Sequence, residues 1–134
     1  MANLAGFLKP TYKEKTIELV ISDRFLDDDG NPIPFKLKTL SQAQMKSIAK
    51  RSSKTTKGNT EIDNSQFIAR CIVESTLQPD FKDRELCNAF GTEDPYEVPE
   101  LMLLTSEYEK LGRAFLELNG LEEGSLDITK VTKN

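Results

Sequence analysis

Two short segments near the N-terminus decide the fold class: Thr16-Ile17-Glu18-Leu19-Val20-Ile21-Ser22 and Ile33-Pro34-Phe35-Lys36-Leu37-Lys38-Thr39. In both segments Ile, Leu or Phe occupies every second position, which is the period of a strand with one buried face. Residues 27–31, between them, are rich in the turn-forming residues Asp, Gly and Asn. The pattern therefore predicts an antiparallel β-hairpin. Because Pro34 cannot donate a ladder hydrogen bond, it predicts an edge strand or an outward-facing position.

Helical patterns follow this hairpin, whose apolar face needs another element to pack on. Ser41 and Asp63 each precede a helical pattern and are followed three residues later by Gln, which is the spacing of an N-terminal cap. A short helix from Asp83 to Phe90 ends before a glycine. Between the first two helices, the segment from Arg51 to Thr60 is almost entirely polar and predicts a flexible loop.

The last helical segment has an apolar seam with alternating spacings of three and four. Its members are Leu101, Leu104, Tyr108, Leu111, Phe115 and Leu118. Ser106 and Glu109 have capping-box spacing, so we expect a break between a short helix near Pro99 to Leu103 and a longer one from Ser106 to Leu118. The seam either covers the core or mediates self-association, which leaves a homo-oligomer open. Its candidate partner-binding residues are Tyr108, Leu111 and Phe115.

These elements predict an α+β fold in which an N-terminal antiparallel β-hairpin, about 16–39, packs on a mainly α-helical domain. About four helices are expected between about 41 and 119. A chain of 134 residues with 37% hydrophobic side chains can build one modest core. We therefore predict a single domain over 1–120. The polar residues 121–134 predict a flexible tail.

The composition argues against an enzyme. The chain has no histidine, the side chain that most often performs acid and base catalysis near neutral pH. Cys71 and Cys87 belong to no metal-binding motif. Residues 27–30 resemble part of a calcium loop, but Phe25 and Lys36 stand where its first and twelfth positions require carboxylates. The sequence predicts no catalytic, cofactor-binding or metal-binding residue.

Charge and hydropathy limit the classes of partner and the cellular location that the sequence predicts. A net charge of -4 makes nucleic acid an unfavourable partner. No apolar run approaches a membrane span, and residues 1–10 lack a secretory signal pattern, so a cytoplasmic protein without membrane contact is expected. Within 30–60 all seven charged residues are basic, whereas 92–127 hold ten acidic and two basic residues. Such asymmetry can steer a partner. The candidate partner-binding residues of the basic segment are Lys50, Arg51, Lys54 and Lys57.

Five segments carry a family resemblance. They are Phe7-Leu8-Lys9-Pro10, Thr16 to Phe25, Asp29 to Phe35, Leu104 to Tyr108 and Leu116 to Gly120. As a set they resemble the XkdN-like tail assembly chaperones, small proteins of contractile-tailed phages and of defective prophages in Gram-positive bacteria. The resemblance spans most of the chain from Phe7 to Gly120, apart from the polar loop.

The resemblance implies a non-enzymatic role in virion morphogenesis. Members of the family are thought to hold the tape measure protein until tail tube subunits polymerise around it, and to be absent from the finished virion. In many phages a ribosomal frameshift also yields a longer form of the chaperone, which is a further expected partner. Two alternatives stay open. One is a structural tail or head completion protein, and the other is a small nucleic-acid-binding regulator that uses the basic stretch 36–57.

Overall fold

The computed structural model describes residues 4–8 and 15–121. Its elements are α1 (Leu4–Leu8), β1 (Thr16–Leu19), β2 (Phe35–Lys38), α2 (Gln42–Arg51), β3 (Ser53–Thr56), β4 (Asn59–Ile62), α3 (Asn64–Ser75), β5 (Thr76–Gln78), α4 (Arg84–Ala89), a 3-10 turn (Pro95–Glu97), α5 (Val98–Met102) and α6 (Thr105–Leu118). The predicted α+β class with an N-terminal hairpin is confirmed. Of the predicted tail, 122–134 lie outside the described residues. No described helix is long and apolar enough to cross a membrane.

The predicted hairpin forms with β1 and β2 antiparallel, pairing Thr16 with Lys38 and Leu19 with Phe35. A third strand, β5, pairs with the other side of β2, so the sheet order is β1-β2-β5 and β2 is central. Of the two alternatives predicted from Pro34, an edge strand or an outward-facing position, the edge strand is therefore wrong. The strand begins one residue after Pro34, so the proline removes no ladder hydrogen bond, and its carbonyl accepts from Gln78 Nε2 at 2.7 Å.

The helices begin where their capping residues predict. Ser41 Oγ accepts from the Gln44 backbone N–H at 3.1 Å, and Gln44 Oε1 accepts from the Ser41 N–H at 2.8 Å, which completes a capping box for α2. Asp63 accepts from the Gln66 N–H and so caps α3. Asp83 caps α4 in the same way. These hydrogen bonds confirm the predicted starts of three helices.

The segment from Arg51 to Thr60, predicted as a flexible loop, is instead largely a second hairpin. Strands β3 and β4 pair antiparallel around Lys57 and Gly58, whose φ angles are 53° and 82°. A two-residue turn with both φ values positive matches the twist of a hairpin, and glycine adopts such a φ without steric cost. The Thr55 and Thr60 hydroxyls also lie 3.1 Å apart across the strands. All eight strand residues are exposed, so this hairpin adds nothing to the core.

The core lies between the inner face of the three-stranded sheet and the helices. Its fully buried large side chains include Phe35 and Leu37 of the sheet, Ile72 of α3, and Leu111 and Phe115 of α6. Helix α6 ends at Leu118, as predicted, and the Asn119 side chain accepts from the Leu40 N–H at 2.9 Å.

Both cysteines are free and buried. Burial raises the pKa of the Cys71 thiol to about 12, with a smaller contribution from the charge of Glu74. Cys87 donates from Sγ to the Phe81 carbonyl at 3.3 Å. In the part of the chain that the structure describes, no group of three His, Cys, Asp or Glu residues could hold a metal ion.

Candidate partner-binding surface

The helix break divides the predicted apolar seam into a buried part and an exposed part. Leu111 and Phe115 are 0% and 1% exposed and pack in the core, so these two candidate partner-binding residues are inaccessible to a partner in this fold. Tyr108 is half-buried against the same core. By contrast, Leu101 and Leu104 are 53% and 57% exposed. The seam thus covers the core along α6 and leaves it at the α5–α6 junction.

A buried carboxylate positions this junction. Glu107 Oε1 accepts from the Leu104 N–H at 2.8 Å and thereby caps α6. The same carboxylate binds Arg24 through Nε at 3.1 Å and Nη2 at 2.5 Å, while Nη2 also donates to the Met102 carbonyl at 3.1 Å. The hydrogen bonds from Arg24 lower the pKa of Glu107 to about 2, against the opposing effect of burial.

The predicted break near Thr105 is confirmed, but its predicted cap is wrong. Helix α6 begins at Thr105, and Glu107 rather than Glu109 supplies the capping carboxylate. Ser106 and Glu109 have the right spacing in the sequence. However, Arg24, which lies 83 residues from Glu107 in the chain, fixes the Glu107 side chain at the helix start. A tertiary contact of this kind leaves no local signal.

Leu101 and Leu104 are exposed at this junction, and Val20 and Leu26 are exposed in the segment that carries Arg24. We call these four side chains the apolar patch. The Arg24–Glu107 pair and the hydrogen bond from Lys110 Nζ to the Val20 carbonyl, at 2.9 Å, hold residues 20–26 against residues 102–110. Sequence reasoning found Leu101 and Leu104 only as members of the apolar seam and missed Val20 and Leu26. The local signal for Val20 was an apolar residue at an outward-facing position of the period-two pattern.

The charges around the apolar patch are mainly acidic. Residues 20–29 and 98–110 hold seven acidic and two basic side chains, a net charge of -5. Both basic side chains already have partners, since Arg24 binds Glu107 and Lys110 binds the Val20 carbonyl. Two exposed carboxylates, Asp23 and Glu100, adjoin Arg24 and Leu101 in the chain, and we call them the acidic border.

The other four predicted partner-binding residues lie within one stretch of the chain, 50–57, and we call them the basic surface: Lys50, Arg51, Lys54 and Lys57. The first two end α2, the third is in β3 and the last is in the turn of the second hairpin. All four are exposed, and two are loosely paired, Arg51 with Glu74 at 3.6 Å and Lys54 with Asp63 at 4.0 Å. Ion pairs this exposed contribute little to stability, so the charges stay available to a partner.

The described clefts offer little to a small molecule. The cleft between α3 and α5 has a volume of about 300 Å³ and is lined mostly by polar and charged side chains, including Arg70 and Glu100. The Arg70 guanidinium lies 4.5 Å from the ring centroid of Tyr96, which also donates to Glu74. Ligand pockets are typically enclosed and mainly apolar. This cleft has the features of a hydrated protein surface.

The fold and its surfaces define a small α+β protein with features of an interaction protein: an exposed apolar patch, an acidic border and a basic surface. Comparison with known proteins makes this more specific. The model of the phage XkdN-like tail assembly chaperone proteins matches residues 4–132. The chain therefore belongs to the XkdN-like tail assembly chaperone family, which confirms the resemblance found in the sequence.

Two relatives come from Bacillus subtilis strain 168. The protein YqbN is 35% identical over 130 residues, covering 92% of this chain and 87% of YqbN. The phage-like element PBSX protein XkdN is also 35% identical over 130 residues, covering 92% of this chain and 88% of XkdN. The crystal structure of YqbN superposes with a TM-score of 0.80 at 35% identity, covering 91% of this chain and 99% of that chain. The fold is thus shared with an experimentally solved relative.

Proposed function

We propose that this protein is a non-enzymatic chaperone that binds the tape measure protein in the host cytoplasm during phage or prophage tail morphogenesis. Membership of the tail assembly chaperone family, over residues 4–132, is the observation that carries the proposal. The exposed surfaces are consistent with it, because they offer apolar and charged contacts to a protein partner.

The physical demands of the task match these surfaces. Before assembly, a long helical protein exposes apolar faces that must be covered and later released. Many weak contacts along one chain give strong overall binding, yet each can be displaced singly when the tail tube polymerises. The apolar patch has four side chains and the basic surface has four charges, which suits weak contacts repeated along a long partner. A longer frameshifted form of the chain is a further proposed partner in the same assembly.

Co-expression with the tape measure protein of the same tail gene cluster tests the proposal. A tagged chaperone is expected to retain the tape measure protein through affinity purification and gel filtration, and to keep it in solution. A tail tube protein from the same cluster, expressed in the same way, is the control for non-specific retention. Purified particles should lack the chaperone, whereas a structural tail or head completion protein would be present in them.

A further inference from the structure

We propose that the apolar patch binds an amphipathic helix whose apolar stripe is bordered by Lys or Arg side chains. The inference rests on the proposed function, because the natural partner would be a helical segment of the tape measure protein. It adds the binding face, the partner's secondary structure and the sign of its charge.

The apolar patch is one of two groups of exposed apolar side chains among the described residues. Nine large hydrophobic side chains are exposed there, of which three belong to α1 and four to the patch. Single exposed apolar residues are ordinary, whereas several close together mark an interaction site. Leu101 and Leu104 lie on either side of Met102, whose carbonyl accepts from Arg24, and the Lys110 side chain fixes the backbone of Val20.

These hydrogen bonds make the patch a preformed surface. Hydrogen bonds join the two segments that carry it. Arg24 binds Glu107, 83 residues away in the chain, and the Val20 carbonyl accepts from Lys110, 90 residues away. A partner therefore does not need to order them on binding, and less affinity is lost to conformational entropy. A helix with apolar residues at spacings of three and four would lay its stripe along such a surface.

The acidic border selects the charge of the partner. Asp23 and Glu100 are exposed, and the net charge of the two segments is -5. A helix bordered by Lys or Arg would be attracted, and one bordered by Asp or Glu would be repelled. The same repulsion disfavours a second copy of this chain docking patch to patch, because an isologous contact would place the two acidic borders against each other.

Two synthetic helical peptides test the inference directly. They share one Leu stripe, which is bordered by Lys in the first peptide and by Glu in the second. Titration of each into the full chain is expected to show binding at least about tenfold tighter for the Lys-bordered peptide, a difference of about 1.4 kcal/mol. Equal affinity, or binding of neither peptide, would overturn the inference whatever the tape measure protein does.

Variants locate the binding face. The double variant Leu101→Ser/Leu104→Ser is expected to weaken the Lys-bordered peptide and the tape measure protein at least about tenfold, because it removes half of the apolar patch. The double variant Ile62→Ser/Leu77→Ser is the matched control, since both of its side chains are also about half exposed but lie elsewhere. Thermal unfolding of each variant confirms that folding is retained.

The outcomes separate the two proposals. If the wild-type chain binds the Lys-bordered peptide but not the tape measure protein, the proposed function fails and the patch chemistry stands. If the wild type binds the tape measure protein and Leu101→Ser/Leu104→Ser binds it equally well, the patch is not the binding face. If Leu101→Ser/Leu104→Ser changes the sedimentation coefficient of the free chain but leaves the binding of peptide and tape measure protein unchanged, the patch joins copies of this chain. That result would overturn the inference.

Discussion

Replacing Glu107 by Gln tests whether one carboxylate holds the α5–α6 junction together. The Glu107 side chain is 10% exposed and accepts hydrogen bonds from Arg24 and from the Leu104 N–H. Glutamine keeps one acceptor for Leu104 but turns an N–H donor toward Arg24. Hydrogen bonds to a charged group contribute about 1.5 to 3 kcal/mol. Because Arg24 is 42% exposed and screened by solvent, we expect a loss of about 1 to 2 kcal/mol at pH 7.

The pH dependence gives this prediction a specific signature. The pKa of Glu107 is about 2 in the folded chain, below the ordinary value of 4.5 that applies when it is unfolded. A carboxyl with a depressed folded pKa stabilises the fold fully above its unfolded pKa, and this contribution is lost as the pH falls toward the folded pKa. The difference between wild type and Glu107→Gln should therefore be constant at neutral pH and shrink between about pH 4.5 and pH 2.

Urea denaturation at several pH values measures the difference. Glu117→Gln is the control, because Glu117 lies exposed on the same helix. The Arg24→Gln variant and the double variant complete a cycle that isolates the coupling between the two side chains. Two results would refute the reasoning. One is a Glu107→Gln chain as stable at neutral pH as Glu117→Gln, and the other is a stability difference that stays unchanged at about pH 3.

Three further predictions address the core, the second hairpin and the basic surface. Leu111→Ala and Phe115→Ala should each lower the free energy of unfolding by about 2 to 5 kcal/mol in urea melts, because both side chains are fully buried, whereas Leu104→Ala should cost far less. Gly58→Val should speed amide hydrogen exchange in β3 and β4 and leave the melting temperature nearly unchanged, since φ is 82° there and the hairpin buries nothing; an equal loss of protection in α3 would contradict this. Replacing all four side chains of the basic surface by Gln should slow association with the tape measure protein and flatten its salt dependence; rate constants that do not change across a salt series would exclude steering by these charges.

Sequence reasoning succeeded where the deciding signal was local. The period of two in residues 16–22 and 33–39 predicted the first hairpin, and Ser41, Asp63 and Asp83 marked three helix starts. Each of these signals acts within a few residues, because a cap or a strand period is satisfied by the neighbouring backbone.

The failures have two physical origins. Strand β5 has only three residues directly after α3, and its pairing with β2 joins Gln78 to Lys36, a contact that no local pattern encodes. The polar composition of Arg51 to Thr60 concealed a hairpin, because strand pairing needs backbone hydrogen bonds and a suitable turn, and here it proceeds without burial. The turn residues Lys57 and Gly58 were the available signal.

The candidate site was predicted only in part. The four basic side chains were singled out because charge is visible in the sequence, and all four are exposed. The apolar seam was found as well, but periodicity alone could not show that its members at Leu111 and Phe115 are buried while those at Leu101 and Leu104 are exposed. The helix break that separates these two pairs lies where Glu107, bound to Arg24 from a distant part of the chain, caps the start of α6.

The two buried thiols make this chain a convenient substrate for site-specific labelling. Maleimides and similar reagents react with the exposed thiolate. Burial shields both thiols from them, and Cys71, whose pKa is about 12, supplies almost no thiolate at neutral pH. The chain has no cysteine besides Cys71 and Cys87, so both can stay in place. A single cysteine introduced at Lys57, on the exposed turn, would carry a fluorophore far from the core, and its emission would report how quickly the protein meets a partner.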